Sequence, residues 1–172
     1  MPSDRTRQDA HYAEAGAAFA PAIARLARSV EADADQARDL EQEIHLALWR
    51  SLAGFDGRCA LSTWVYRVAH NVAASHVARR ARGAKLVALD DADLLAADDI
   101  EAEVGVAQTI ARLHALIRRL HSPDREVILL YLEGLDARAI AEVTGLATGT
   151  VAVKVHRIKA LLARRFHSGE AA

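Results

Sequence analysis

Two glycines near the C-terminus divide this part of the chain into short apolar segments. Gly134 follows the segment that ends with Leu132, and Gly145 follows the next segment. Glycine commonly ends helices because it adopts the left-handed backbone conformation without strain. Asp136 and Thr148 stand where the following helices would begin, and both residue types are good N-caps. The pattern predicts a helix-turn-helix whose second helix is the last helix of the chain.

A further helix is predicted directly before this motif. Ser122 would cap it, with Pro123 at the first helical position, where a missing amide hydrogen is tolerated. Its apolar face would be supplied by Val127, Leu130 and either Tyr131 or Leu132.

The last predicted helix has one apolar face and one basic face. Its apolar residues recur at spacings of four, three and four, which predicts one buried stripe of Val151, Val155, Ile158 and Leu162. The opposite face consists of Thr150, Ala152, Val153, Lys154, His156, Arg157 and Lys159. Residues at the start of such a helix can reach base edges in a major groove, and the later cations suit phosphates. The pattern favours contact with DNA; a solvated surface or a site for an acidic protein is the alternative.

Composition narrows the fold class. Of 172 residues 52% are apolar but only 5% are aromatic, so aliphatic side chains must fill the core. Abundant alanine with few prolines and glycines favours helix, and we expect an all-α fold. The longest aliphatic run is too short to cross a bilayer, and the polar start of the chain has no signal-peptide pattern. A lone cysteine, Cys59, excludes an internal disulfide. These features indicate a soluble, cytoplasmic protein without membrane insertion.

Charge is segregated along the chain. Residues 31–43 hold six acids and one arginine, residues 62–85 hold five basic residues and no acid, and residues 86–103 hold seven acids and no base. We therefore predict two helical domains, at 11–85 and 106–168, joined by an acidic linker at 86–105. The linker is either a solvated connection or a mimic of nucleic acid that screens basic faces.

The first domain begins with a predicted acidic helix from Asp39. Its inward residues would be Leu40, Ile44, Ala47 and Leu48, and its outer face would carry Glu41, Gln42, Glu43, His45 and Arg50. Phosphates would repel this face, so it suits a basic protein surface or is simply solvated.

A loop and a basic helix follow. Gly54 and Gly57 flank a turn, and Ser62 or Thr63 would open a helix with an inner stripe of Val65, Val68, Val72 and Val77. The other faces offer Tyr66, Arg67, His70, Asn71, Arg79, Arg80 and Arg82. Rings and cations beside a loop are typical of single-strand binding, in which bases stack on aromatic side chains. Trp64 could serve either core packing or base contact.

Three sequence stretches together resemble the extracytoplasmic-function (ECF) class of bacterial RNA polymerase sigma factors. They are DLEQEIHLALWR, FDGRCALSTWVYRVAHN and REVILLYLEGLDARAIAEVTGLATGTVAVKVHRIK, in the order in which the family has them. The resemblance implies a first domain like sigma domain 2, a second like sigma domain 4, and a linker that follows the polymerase channel toward the RNA exit. It also implies core RNA polymerase, promoter DNA and an anti-sigma factor as partners, with no cofactor and no enzymatic activity.

The resemblance assigns roles to individual residues. Those that match the polymerase-docking face are Asp39, Gln42, Glu43 and His45. Those that match the segment that reads and melts the minus-10 element are Arg58, Ser62, Thr63, Trp64, Arg67 and Asn71. Arg79 and Arg80, farther along the same helix, are also candidate DNA-binding residues. Those that match the reader of the minus-35 element are Thr150, Ala152, Val153, Lys154, Arg157 and Lys159.

Other classes of function remain open from the residues alone. Eight histidines invite a metal site, but none forms a short ligand pair such as HExxH, and we expect no metal. Cys59 follows Arg58 in the predicted loop and is either a redox sensor or an ordinary thiol. The third alternative is a helix-turn-helix regulator that acts without polymerase, which would usually bind a palindrome as a dimer.

Overall fold

The structure, a computed structural model, describes residues 4–87 and 105–168. Over those residues the chain forms seven α-helices and no strand, which confirms the all-α class. The helices are α1 (Asp4–Val30), α2 (Ala34–Ser51), α3 (Leu61–Val87), α4 (Val106–Arg118), α5 (Asp124–Leu132), α6 (Ala137–Thr144) and α7 (Thr148–Ser168). One 3-10 turn, Leu52–Gly54, follows α2. α3 extends into the first part of the predicted linker, and residues 88–104 lie outside the described residues.

α1 is a helix of 27 residues that no sequence motif predicted. Its buried side is formed by Ala15, Ile23, Leu26 and Ala27. Pro21 lies inside the helix on its exposed side, where a missing backbone hydrogen bond is better tolerated than in the core. α1 packs against both α2 and α3 and completes an N-terminal unit of three helices.

α2 begins at Ala34, earlier than the predicted start near Asp39. Asp33 caps it, because its carboxylate accepts hydrogen bonds from the backbone nitrogens of Asp35 and Gln36. The predicted inward residues Leu40, Ile44 and Leu48 are fully buried, whereas Ala47 is half-buried. The sequence therefore predicted the buried face of α2 correctly but not its start.

The predicted inner stripe of α3 was correct at Val65 and wrong beyond it. The buried row is Val65, Ala69 and Ala73, at a spacing of four, while Val68, Val72 and Val77 are only half-buried. Small residues in this row let α3 approach α1 and α2 closely. α3 also begins at Leu61, before the predicted Ser62 or Thr63.

Three predicted boundary residues of the helix-turn-helix are confirmed: Gly134, Asp136 and Gly145. Asp136 caps α6, because its Oδ1 accepts a hydrogen bond from the backbone nitrogen of Ala139 at 2.8 Å. Gly145 follows α6 in the left-handed conformation, with φ at 76°, and Gly134 follows α5 with φ at 86°. These local signals set the turn that precedes α7.

Two other predicted helix starts were wrong. α5 begins at Asp124 with Pro123 in the N-cap position, so Ser122 does not cap it; the Ser122 hydroxyl instead donates to Glu126 at 2.7 Å. Thr148 is the first helical residue of α7 rather than its cap. In both cases the residue that the sequence suggested as the N-cap does not occupy that position.

The C-terminal unit, α4–α7, buries the stripe of α7 that the sequence predicted. Val151 and Ile158 are fully buried, and Val155 and Leu162 are half-buried. Their partners from α5 and α6 are Val127, Leu130, Ile140 and Val143. The basic face of α7 therefore points away from this core.

The two units contact each other through α1 with α4 and α3 with α6. Arg25 of α1 forms two hydrogen bonds to the carboxylate of Glu133, at 2.7 and 2.6 Å. A cavity of about 100 Å³ lies between the units and is lined by residues of both, including His70, His114 and Leu129. Burial lowers the pKa of His70 to about 4.

Candidate nucleic-acid and polymerase interface

The basic face of α7 comprises Thr150, Ala152, Val153, Lys154, Arg157 and Lys159. All of these are exposed except Lys154, which is half-buried. Val153 is 69% exposed. Gly149, Thr150, Val153, Lys154 and Arg157 also line one shallow depression. The face therefore combines polar, apolar and cationic groups that are open to a ligand.

One carboxylate from another helix holds two of the cations on this face. Lys154 Nζ donates to Asp124 Oδ1 at 2.6 Å, and Arg157 Nη2 donates to Asp124 Oδ2 at 2.7 Å. Partial burial raises the pKa of Asp124, but hydrogen bonds and charges from Lys154 and Arg157 outweigh it and lower the pKa below its ordinary value. Asp124 is therefore ionised and binds the start of α5 to α7.

Lys159 has a different neighbour. Its Nζ donates to the hydroxyl of Tyr131 at 3.1 Å and lies 5.0 Å from the centroid of that ring. A cation above an aromatic face is attracted by the ring quadrupole. Because both residues are exposed, Lys159 stays accessible to an anion from solvent.

The loop before α3 places its predicted residues unevenly. Arg58 is exposed and pairs with Asp56 at 3.0 Å. Thr63 is buried, with 7% of its surface exposed, so its side chain does not face a ligand in this conformation. Trp64 packs edge-on against Phe55, with ring centroids 5.4 Å apart, and its Nε1 donates to Ser51 Oγ at 3.0 Å. Contacts with Phe55 and Ser51 therefore fix the ring of Trp64 within the protein.

Further along α3, Arg67 points at the C-terminal unit. Its Nη2 donates to the backbone oxygen of Glu142 at 2.8 Å, across the boundary between the units. Asn71, one turn later, is exposed, and Ser62 at the start of the helix is half-buried. Of these three predicted minus-10 residues, Arg67 is engaged by α6, Asn71 is open and Ser62 is partly open.

Two predicted cations of α3, Arg79 and Arg80, form ion pairs with Glu43 of α2 and with Glu31, which directly follows α1. Arg79 Nη2 contacts both carboxylate oxygens of Glu43 at 2.9 Å. Arg80 pairs with Glu31, which also accepts a hydrogen bond from His76 Nε2 at 2.8 Å. Burial raises the pKa of Glu31, but Arg80 and His76 outweigh it and lower the pKa. The structure brings Glu43 and Arg79 together although the sequence assigned them to different partners.

The acidic face of α2, defined as Asp39, Gln42, Glu43 and His45, lies on the outside of the N-terminal unit. Asp39, Gln42 and Glu43 are exposed. His45 is half-buried, with Nδ1 3.2 Å from the hydroxyl of Tyr12 of α1. Leu46 beside it is 47% exposed. An acidic surface with an exposed leucine suits a basic protein partner better than a polyanion.

Two regions of the chain match models of known families. Residues 17–83 match Sigma-70 region 2, and residues 110–162 match Sigma-70, region 4. The chain is 32% identical to the RNA polymerase sigma-H factor of Pseudomonas aeruginosa over 137 residues, which cover 74% of this chain and 71% of that protein. It is 30% identical to the ECF RNA polymerase sigma factor SigM of Mycobacterium tuberculosis over 140 residues, which cover 81% of this chain and 69% of that protein.

The chain belongs to the ECF class of RNA polymerase sigma factors. This sigma factor is therefore a transcription initiation factor that binds core RNA polymerase and promoter DNA, and it is not an enzyme. The alternative of a regulator that acts without polymerase is not supported, because both sigma regions match in order.

A solved structure supports the fold at the level of the whole chain. The sigma factor resembles a chain of the solved "Structure of CnrH in complex with the cytosolic domain of CnrY", with a TM-score of 0.68 and 22% sequence identity. The likeness covers 96% of this chain and 97% of that one. At this identity it shows a shared all-helical architecture.

The sequence did not predict the acids that hold the cations of α3 and of the basic face of α7. Asp124 precedes Lys154 by 30 residues, and Glu31 precedes Arg80 by 49, so no local spacing marks either pair. Within 4–87 and 105–168 no group of three or more potential metal ligands occurs. The same residues include no helix long and apolar enough to span a bilayer. Cys59 is a free thiol, half-buried in the loop.

Proposed function

We propose that this sigma factor divides its contacts between its two units. The acidic face of α2 docks on core polymerase, the loop at residues 55–61 and α3 take the minus-10 element, and the basic face of α7 takes the minus-35 element. The observation that carries the proposal is the exposure of both faces on opposite units, with opposite charge. A basic protein and a DNA duplex would select different faces.

The support is strongest for α7. Its apolar stripe is buried against α5 and α6, so the face with Thr150, Val153 and Arg157 is presented outward by a rigid unit. A helix in this position of a helix-turn-helix enters the major groove with its first residues near the bases. Val153 can contact a thymine methyl group, and Arg157 and Lys159 can contact phosphates.

The proposal for the minus-10 element requires the units to separate. Arg67 is bound to the backbone of Glu142 in α6, and Thr63 is buried, so only part of the predicted surface is open. Polymerase would provide the energy for separation if it binds the open form more tightly than the closed form. Arg58 and Asn71, which are exposed, would make the first contacts.

We further propose control by an anti-sigma factor and action in the cytoplasm. The support is the resemblance over almost the whole chain to CnrH, which was solved in complex with the cytosolic domain of CnrY. A partner that holds the two units together would keep Arg67 engaged and the sigma factor inactive. The acidic linker at 86–105 would occupy the polymerase channel in the active complex.

The test is run-off transcription with purified core polymerase on genomic fragments. Replacing both Lys154 and Arg157 with alanine should lower initiation roughly tenfold or more at promoters that use the upstream element, because phosphate contacts are lost. The matched control removes two exposed cations outside α7, with Arg5→Ala and Arg38→Ala. Unchanged transcription by the α7 variant would remove the assignment of that helix.

A further inference from the structure

Asp124 sits between the core of the C-terminal unit and the DNA-facing side of α7. Each of its carboxylate oxygens accepts from a different cation, Lys154 at 2.6 Å and Arg157 at 2.7 Å. The side chains of Asp124 and Lys154 are only 22% and 21% exposed, whereas that of Arg157 is 64% exposed. Lys154 is thus enclosed by its ion pair, while Arg157 keeps most of its surface open to another anion.

The position of Asp124 keeps the carboxylate charged and in place. It is the first residue of α5, where unpaired backbone amides and the helix dipole stabilise a negative charge. The two cations hold it from the other side. A charged group with support on two sides does not rotate away easily, so the enclosure of Lys154 is a lasting feature of the folded unit.

The enclosure changes what α7 offers to a phosphate. Two cations and one carboxylate give a net charge of +1 instead of +2. For Lys154 to reach a phosphate it must lose a short, partly buried ion pair, and partial burial makes such pairs stronger than exposed ones. A single phosphate of arbitrary DNA would stabilise the Lys154 ammonium little more than the Asp124 carboxylate already does. A duplex on which α7 is fully seated adds contacts from Thr150, Val153 and Arg157.

We propose that Asp124 is a specificity-determining residue, which withholds Lys154 from the phosphates of arbitrary DNA and releases it when α7 is seated in its target. The inference rests on the proposed function of α7 and deepens it. Asp124 would lower affinity for all DNA, but it would lower affinity for non-target DNA more. Discrimination rises because non-specific binding depends almost entirely on phosphate contacts.

The test compares Asp124→Asn with the unchanged full chain in binding to a labelled short duplex of arbitrary sequence at several salt concentrations. Binding should tighten about three- to tenfold at low salt, and the salt slope should steepen by about one phosphate contact. Asp35→Asn is the matched control: Asp35 is exposed and also pairs with an arginine, Arg38, but lies on α2. Equal tightening in both variants would mean a general charge effect and would overturn the proposal.

A double-mutant cycle separates specificity from folding. In a chain that carries Lys154→Ala, the further change Asp124→Asn should tighten binding much less than it does in the unchanged chain, because the withheld cation is gone. Thermal melting of each variant identifies any that has unfolded. Equal tightening with and without Lys154, or weaker binding by folded Asp124→Asn, would contradict the role of Asp124.

Failure of this inference is distinguishable from failure of the proposed function. If Lys154→Ala with Arg157→Ala lowers transcription but Asp124→Asn leaves non-specific binding unchanged, α7 is the reader and Asp124 is only a structural pair. If neither change affects DNA binding or transcription, the assignment of α7 itself is wrong. Run-off transcription in the presence of competitor DNA provides the second readout, and Asp124→Asn should be inhibited more strongly than the unchanged sigma factor.

Discussion

At the scale of single residues, carboxylates from distant parts of the chain hold cations of this sigma factor in place. Glu31 is 5% exposed and holds Arg80 and His76, whereas Asp124 is more open and holds Lys154 and Arg157. Loss of a partner from a buried pair leaves a charge without compensation, which is strongly destabilising. Glu31 therefore mainly joins the end of α1 to α3, whereas Asp124 lies at the basic face of α7.

A buried histidine predicts how stability depends on pH. Burial lowers the pKa of His70 to about 4, whereas an unfolded histidine titrates near about 6.5. Below about pH 6.5 the unfolded chain binds a proton that the folded chain excludes. The free energy of unfolding therefore decreases as the pH is lowered, until about pH 4. Urea unfolding should show a loss of about 2 kcal/mol between about pH 7 and about pH 5 from this residue.

The replacement His70→Gln should remove most of this pH dependence. His121→Gln, at an exposed histidine of the C-terminal unit, is the control and should keep it. Glu31 and Asp124 have lowered pKa values, so their contributions are lost only at lower pH, as the carboxylates themselves become protonated. The same slope in both histidine variants would show that His70 is protonated freely in the folded state.

At the scale of helices, the turn before α7 sets the position of that helix and of its basic face. Gly145 has φ at 76°, which only glycine adopts without strain, while Gly149 lies in the first turns of α7. An added Cβ would meet no atom within 4 Å at either position. The difference between the two glycines is therefore one of backbone conformation.

Alanine at these two glycines should have opposite effects on stability. Gly145→Ala should lower the free energy of unfolding by about 1 kcal/mol or more because of backbone strain. Gly149→Ala should leave it unchanged or raise it by a few tenths of a kcal/mol. Chemical denaturation of the two variants measures the difference. Similar free energies of unfolding would mean that the turn relaxes and does not constrain α7.

Some elements could be predicted from the sequence because their signals are local. The caps at Asp136 and Gly145 and the buried stripe from Val151 depend on residues within one or two turns. Beyond Val65 the inner row of α3 could not be predicted, because Ala69 and Ala73 are buried where α3 packs against α2 and against α1, a helix that no motif marked. Hydrophobic spacing had favoured the valines over the smaller alanines.

At the scale of the whole molecule, the two units are held in contact by a small number of polar links. Arg25 binds Glu133 in a bidentate pair, and Arg67 binds the backbone of Glu142. The acidic and basic faces could be predicted from the sequence. Their pairing with distant acids, and the engagement of Arg67 by α6, could not, since each joins residues of different helices.

Reversal of one charge at this contact should open the molecule. Arg25→Glu or Glu133→Arg alone places like charges together and should shift the equilibrium toward separated units several-fold, for a cost of about 1 kcal/mol. The double variant Arg25→Glu with Glu133→Arg restores the pair and should close the molecule again. Small-angle scattering would report the change as a larger radius of gyration in the single variants.

An unchanged radius in the single variants would show that apolar contacts alone hold the units together. Larger radii in the single variants that do not return in the double variant would show that the substitutions damage packing rather than the ion pair. Either result would contradict the role of Arg25 and Glu133 as the polar link between the units.

The division of labour between the two units is tested most directly by binding to purified core polymerase. Asp39→Lys with Gln42→Lys should weaken core binding at least about tenfold, because a basic partner surface would repel the new charges. Glu14→Lys, at an exposed acid of α1, serves as the control. Lys154→Ala with Arg157→Ala should bind core polymerase as tightly as the unchanged chain. Normal core binding by the α2 variant, or loss of core binding by the α7 variant, would contradict the account.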